Sequence, residues 1–363
     1  MDFINNIFPN TYRAIESFLR DTLTAWKLAP DAVSVLTQVV MGMIVITVIL
    51  IFAPVTMMFL TWMERKLIGR IQNRIGPNRV GPFGLLQPIA DMVKIITKED
   101  IIPAGADKWL HLLGPIVLVI PVVLSFAVIP FGRDMAPVDL NIGILFIVAL
   151  GSLATIGILM AGYGSNNKFA LIGGMRAVAQ IISYEIPQVL SIVTVLLLAG
   201  SLSLVKIVQA QTNLWYFLAI PVGTIAFVIY MISAIAETNR TPFDLPEAES
   251  EIIAGHHTEY SGMKFGLFYL AEYLSLFLIC AIGSTLFLGG WNAPFAFLGF
   301  IPTWIWFLLK TYALIFVAMW IRGTLPRFRI DQMMGFAWKV LVPISLANIV
   351  LTAVLVTTVF KPS

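Results

Sequence analysis

Thiols are almost absent from this chain. It has one cysteine, Cys280, set inside an apolar run. That excludes a disulfide framework, a cysteine-ligated iron–sulfur cluster and a thiolate zinc site. Charge is scarce too: Asp, Glu, Lys and Arg make up 12% of the residues, where a soluble domain carries about one quarter. There are three histidines. No phosphate-cradling loop of the G-x-x-x-x-G-K type occurs, and no G-x-G-x-x-G follows a strand-like run. Nucleotide binding by this chain alone is therefore not expected.

What is present is apolar. Hydrophobic residues make up 59% of the chain, with a mean hydropathy of +0.90. Ala32–Met63, Trp109–Gly132 and Val340–Phe360 contain no charged side chain at all. At about 1.5 Å rise per residue, roughly 20 apolar residues cross the ~30 Å hydrocarbon core as a helix. The expected fold is an all-α polytopic membrane protein of about eight spans: Leu36–Met63, Leu110–Phe131, Ile142–Tyr163, Ala177–Ala199, Leu214–Ala236, Phe265–Leu288, Ile301–Ile321 and Val340–Phe360. Pro54, Pro121, Pro187 and Pro221 fall inside these runs. The carbonyls they free need neighbouring helices or water, which implies a bundle.

Residues 1–35 read as a separate segment before a single transmembrane domain, 36–363. The first 30 residues do not look like a signal peptide, because Asp2 stands where basic residues belong. Tyr12, Ile15, Phe18, Leu19, Leu23 and Trp26 recur at three- and four-residue spacing, with Arg13, Glu16, Arg20 and Asp21 mostly between them. This suits a helix in the membrane interface or one packed on another subunit.

The loops alternate in basic residues. Those after spans 1, 3, 5 and 7 hold sixteen Lys and Arg, against six on the other side. The positive-inside rule then puts these long loops in the cytoplasm and both termini outside. Elaboration on one face points to a soluble partner there.

The first of these loops carries a tandem pentapeptide, Asn73-Arg74-Ile75-Gly76-Pro77 and Asn78-Arg79-Val80-Gly81-Pro82. Gly-Pro pairs make turns. Two arginines five residues apart suit a phosphate, a carboxylate or a partner's acidic edge, or else anionic lipid headgroups. Leu85–Ile96, with Asp91, reads as a short amphipathic helix. The third long loop, by contrast, crowds carboxylates: Asp244, Glu247, Glu249, Glu251 and Glu259 follow Glu237. Such groups raise one another's proton affinity, unless they are simply solvated. The fourth loop sets Arg327 and Arg329 either side of Phe328. His256 and His257 are adjacent, about 100° apart on a helix, which does not suit a shared metal.

Three carboxylates lie within spans or close them: Glu185, Glu237 and Glu272. A carboxylate at a helix centre costs about 2.5–3.5 kcal/mol on insertion scales, so these should face water, a counter-charge or each other, and they can carry protons. Lys310 is the one cation within a span. It pairs with Glu272 or snorkels.

Several motifs in this order resemble one family: Glu64-Arg65-Lys66, the turn pair Arg74–Pro82, Gly84-Leu85-Leu86-Gln87-Pro88 with Ala90-Asp91, and Ser183-Tyr184-Glu185. Ala236–Leu245, Glu259-Tyr260-Ser261, Ala271-Glu272-Tyr273 and Pro326–Gln332 continue the match. Together they resemble the quinone-pocket membrane component of bacterial respiratory complex I, the proton-pumping NADH:quinone oxidoreductase. One departure is visible. His256-His257 stand where that family usually shows an aromatic and a polar residue. Runs such as Tyr163–Lys168 and Lys264–Tyr269 also resemble the photosynthetic complex that reduces plastoquinone.

The resemblance implies a multi-pass protein of the bacterial inner membrane that receives a quinone such as ubiquinone and holds no redox cofactor. NADH, FMN and the iron–sulfur clusters would belong to partner subunits. Other partners would be the soluble quinone-site subunits and antiporter-like membrane subunits. Arg74, Arg79, Arg327 and Arg329 would then shape the tunnel mouth and docking face. Asp91, Glu247, Glu249 and Glu251 would form an acidic wall. Glu185, Glu237 and Glu272, with the acidic loop, would couple quinone reduction to proton translocation. Two other classes remain open at this stage: the related component of a membrane-bound hydrogenase or formate-oxidising complex, and a stand-alone cation transporter.

Overall fold

The computed structural model describes residues 7–25, 30–245, 252–295 and 298–358. Among these residues there is no strand. The helices are α1 (Ile7–Ala25), α2 (Pro30–Ile71), α3 (Gln87–Thr97), α4 (Lys108–Ser125), α5 (Gly143–Gly164) and α6 (Lys168–Ala199). They are followed by α7 (Leu204–Ala210), α8 (Val222–Glu237), α9 (Gly262–Phe287), α10 (Thr303–Thr324), α11 (Ile330–Phe336) and α12 (Val342–Thr358). A π-helical turn, Ala337–Leu341, joins the last two into one apolar rod of 29 residues. Seven described rods are long and apolar enough to cross a membrane, and α8 is a shorter apolar helix. The chain is thus an all-α polytopic membrane protein.

Helix starts follow the sequence closely. The Asp107 carboxylate accepts from the backbone of Trp109 at 3.0 Å and opens α4, while Asn167 accepts from Phe169 at 2.9 Å and opens α6. Each cap satisfies a donor that the first helical turn leaves bare. Span 5 is where expectation and structure differ. The hydropathy signal starts it at Leu214, but α8 begins at Val222, after Pro221. Proline lacks an amide hydrogen and disfavours helix in the residue before it. The chain from 211 to 221 therefore makes separate turns. Pro221 caps a helix instead of kinking one.

α9 is the hub. It packs against α2, α3, α4, α8 and α10. In its apolar window 61% is buried, against 17% for α2 and 22% for the last rod. The peripheral helices keep a face for lipid. The amphipathic helix expected near 85–96 is α3, which carries Ile89, Val93 and Ile96 exposed.

Candidate functional site

The charged groups gather where α2, α8 and α10 end and α9 begins. Glu64 is the first charge after the uncharged stretch of α2, and it is buried. Arg240 follows α8 by three residues and is buried too. Its guanidinium donates to Glu64 at 2.6 Å and lies 3.2 Å from Glu272 on α9. It also stacks 4.4 Å above the ring of Tyr273. Arg322, at the end of α10, donates to the other oxygen of Glu64. Two arginines and two carboxylates thus neutralise each other, Glu64 and Arg240 buried and Glu272 and Arg322 half-buried. A buried arginine supplies a rigid fork that can serve both acids.

The start of the acidic loop is fixed by uncharged groups as well. The Gln180 amide donates to the Ala236 carbonyl at 2.8 Å and the Phe243 carbonyl at 2.7 Å. The Phe328 amide donates to the Pro242 carbonyl at 3.1 Å, and Arg327 lies 3.5 Å from Asp244. Loops three and four are therefore one structure.

The tandem turn folds back on the end of α2. The Arg74 amide donates to the Gly69 carbonyl at 2.8 Å. A side chain on Gly76 would stand 2.9 Å from the Arg65 carbonyl. Gly84 takes a φ of +77° where a methyl group would collide with the Pro77 carbonyl. Both the backbone angle and the close approach demand glycine there. Arg65 then reaches Asp91 on α3 at 2.5 Å, and Lys94 lies 3.6 Å from the same carboxylate. Burial pushes the Asp91 carboxyl up, but the hydrogen bond and charge of Arg65 outweigh it and hold the group below its ordinary value.

Two cavities run inward from this cluster. The larger, of about 290 Å³, is lined by Glu237, Glu272, Thr238 and Asn239 and by apolar groups such as Leu118 and Phe268. The smaller, of about 60 Å³, is lined by Glu185, Gln188, Tyr230 and Glu237. Glu237 belongs to both, and so does Gly151. Glu185 accepts a hydrogen bond from Ser152 at 2.5 Å.

Of the residues singled out from sequence, the structure brings Glu185, Glu237 and Glu272 onto one line of cavities. Asp91 and Arg327 lie in ion pairs at the same end. Arg74 and Arg79 are exposed on the tandem turn, Arg74 donating to Gln72 at 2.7 Å. Arg329 is exposed at the start of α11. Glu247, Glu249 and Glu251 lie outside the described residues. Lys310 neither pairs with Glu272 nor reaches water. Its ammonium donates to the carbonyls of Leu288, Gly290 and Asn292 at 2.6, 3.0 and 2.6 Å and lies over the Trp215 ring. Leu288 is sixteen residues beyond Glu272 on or next to α9, roughly 24 Å away at 1.5 Å per residue, so the two charges cannot meet.

Arg322 and Gln180 were missed by sequence reasoning, and Glu64 was noted only as part of a motif, with no role in the site. Glu64 carried a usable signal, because it ends a run of 32 uncharged residues on the same helix. Gln180 carried none: a lone amide on an apolar helix looks like many others.

Buried paired charge at one end, and carboxylate-lined cavities within the bundle, define a polytopic membrane protein built around internal ionisable groups. Comparison with known proteins makes this more specific. Residues 43–353 match the model of the NADH dehydrogenase family, and the chain belongs to that family. A relative from Dehalococcoides mccartyi (strain CBDB1), named as the H subunit of NADH-quinone oxidoreductase, is 56% identical over 302 residues, 83% of each chain. Relatives of the same name come from Geobacillus kaustophilus, 55% identical over 80% of this chain and 86% of the relative, and Carboxydothermus hydrogenoformans, 48% identical over 91% and 93%.

Proposed function

We propose that this chain is the complex I membrane subunit that admits quinone from the bilayer and passes the effect of its reduction to proton sites in the membrane. The observation that carries the reading is the line Glu272, Glu237, Glu185, in which Glu237 lines both cavities. Reducing a quinone to a quinol takes two electrons and two protons. The electrons arrive from partner subunits that bear NADH, FMN and iron–sulfur clusters; this chain binds no redox cofactor. Charge that develops at the quinone headgroup acts on Glu272 through Arg240, because that guanidinium already divides itself between Glu64 and Glu272. When the headgroup draws Arg240 away, Glu272 loses the guanidinium beside it and gains affinity for a proton.

On this reading Arg74, Arg79, Arg327 and Arg329 frame the quinone entrance and the docking face for soluble subunits. Asp91, Glu247, Glu249 and Glu251 form its acidic side. The long loops face the cytoplasm of a bacterial cell and both termini face outward, which the bias of basic residues supports. Within the segment 1–35 expected ahead of the transmembrane domain, α1 would lie in the membrane interface.

The direct test is Glu237→Gln in the assembled complex, reconstituted in liposomes. The change keeps the shape and removes the titrating group. Quinone reduction coupled to proton translocation should fall sharply, while electron transfer to an artificial acceptor upstream of quinone is kept. Undiminished proton translocation would refute the reading.

A further inference from the structure

His256 and His257 have no part in the reading above, yet both line the larger cavity together with Glu237 and Glu272. They form a tight turn, Gly255–His257, pressed onto α6. The approach is so close that a methyl on Gly173 would stand 2.6 Å from the Gly255 Cα. His256 is buried and His257 partly so. The two rings lie 4.1 Å apart and are tilted by 57°. Phe268 meets His256 edge-on at 5.5 Å, and Phe265 meets His257 at 6.1 Å and 89°. Phe268 is one helical turn before Glu272, and Phe265 about two. The imidazoles are thus held against the same face of α9 that carries the carboxylate.

The ionisable groups around this pair come from each element packed on it. Glu237 ends α8, while Tyr269 and Glu272 stand on α9; all three line the cavity. α4 and α5 contribute only uncharged lining, including Ser125 and Thr155. Arg176 is one turn past Gly173 on α6. On the far side of the turn Tyr260 stacks on His111 at 4.0 Å, Glu259 accepts from Asn167 at 2.6 Å, and Lys264 pairs with Asp100 at 2.9 Å. Among the described residues, no Lys or Arg lines the cavity. An imidazole is the side chain whose ordinary pKa, about 6.5, lies nearest neutrality.

We propose that His256 and His257 are the proton-admitting pair of this cavity. An imidazolium N–H passes its proton to the carboxylate of Glu272 or Glu237, directly or across intervening water. The products are a neutral imidazole and a carboxylic acid, and solvent at the loop end recharges the ring. The inference rests on the reading that these carboxylates couple quinone reduction to proton transfer. It places the source of the proton on two residues that line the same cavity as the carboxylates.

The test uses the whole complex in liposomes, with His256→Ala and His257→Ala combined. Artificial-acceptor reduction checks assembly. Coupled quinone reduction is measured from pH 5.5 to 8.5, with and without millimolar imidazole. A rate limited by imidazolium is high below the imidazole pKa and falls as pH rises through it. The double variant should lose about tenfold or more in coupled rate and lose that pH-dependent limb, and added imidazole should restore both. A wild-type rate and profile would overturn the proposal, and so would a loss that imidazole does not repair. Glu237→Gln and Glu272→Gln separate the two levels. If they abolish coupling while the histidine variant is wild-type, only the histidine proposal falls. If they too are wild-type, both fall. Should the alanine pair not assemble, His256→Gln and His257→Gln carry the same pH measurement, and an unchanged profile overturns the proposal in the same way.

Discussion

Glu64 and Arg240 lie 176 residues apart in the chain and meet at 2.6 Å out of contact with solvent. Through this pair the end of α2 is tied to the loop after α8, and through Glu272 the same guanidinium reaches α9. Four predictions start from this cluster and its neighbours.

Arg240→Met should destabilise the protein by about 3–5 kcal/mol, the usual cost of removing one partner of a buried ion pair. Glu272 loses the guanidinium that lies 3.2 Å away, and Glu64 loses one of its two arginines. Arg240→Lys should rescue poorly, because a point charge cannot serve two carboxylates as a fork does. The yield of assembled complex in membranes measures both. Wild-type yield with methionine would mean that the cluster contributes nothing to assembly.

Glu272→Gln keeps the volume of the side chain and removes its charge. Assembly should survive, with coupled quinone reduction down by about tenfold or more. Proton pumping and quinone reduction at the wild-type level would rule Glu272 out of the coupling path.

Arg327→Ala should lower quinone reduction more than reduction of an artificial acceptor. Its partner Asp244 sits on the loop that Phe328 also holds. Equal losses in the two assays would point to failed assembly.

Asp91 sets a pH window. Its folded pKa lies below its unfolded value, so its contribution is present above about pH 4 and disappears as the pH falls through the folded value. Attachment of α3 to α2 should therefore be constant across neutral pH and weaken only in acid. With Arg65 almost half exposed, solvent screening limits Asp91→Asn to about 0.5 kcal/mol. Amide exchange over 87–97 would register this as a rise of roughly twofold. A large change in protection between pH 6 and 8 would contradict it.

The spans were legible in the sequence because the hydrocarbon core tolerates almost no charge, so each uncharged run announces a helix. Glu185, Glu237 and Glu272 were legible for the same reason, being exceptions to it. The partners of these residues were not. Arg240 looked like a loop cation, and nothing local shows that its fork closes on Glu64 and Glu272. Lys310 is satisfied by three backbone carbonyls, which every residue has, so composition held no trace of its partners. The short α8 was misjudged from the N-terminal side, where apolar residues 214–220 continued the hydropathy signal past a proline that ends it.

The burial of α9 has a consequence for the electrostatics of the bundle. Most of this helix touches protein rather than lipid, and it carries Glu272 next to a cavity. When a charge appears or vanishes on a lipid-facing helix, headgroups and water can shift to absorb it. Around α9 that reorganisation has to come from dipoles and side chains of the protein and from water in the cavity. On the proposed reading, a proton arriving at Glu272 would be answered chiefly by the protein around α9. The helix most shielded from the membrane is then the one whose change of charge the surrounding helices, rather than lipid, must accommodate.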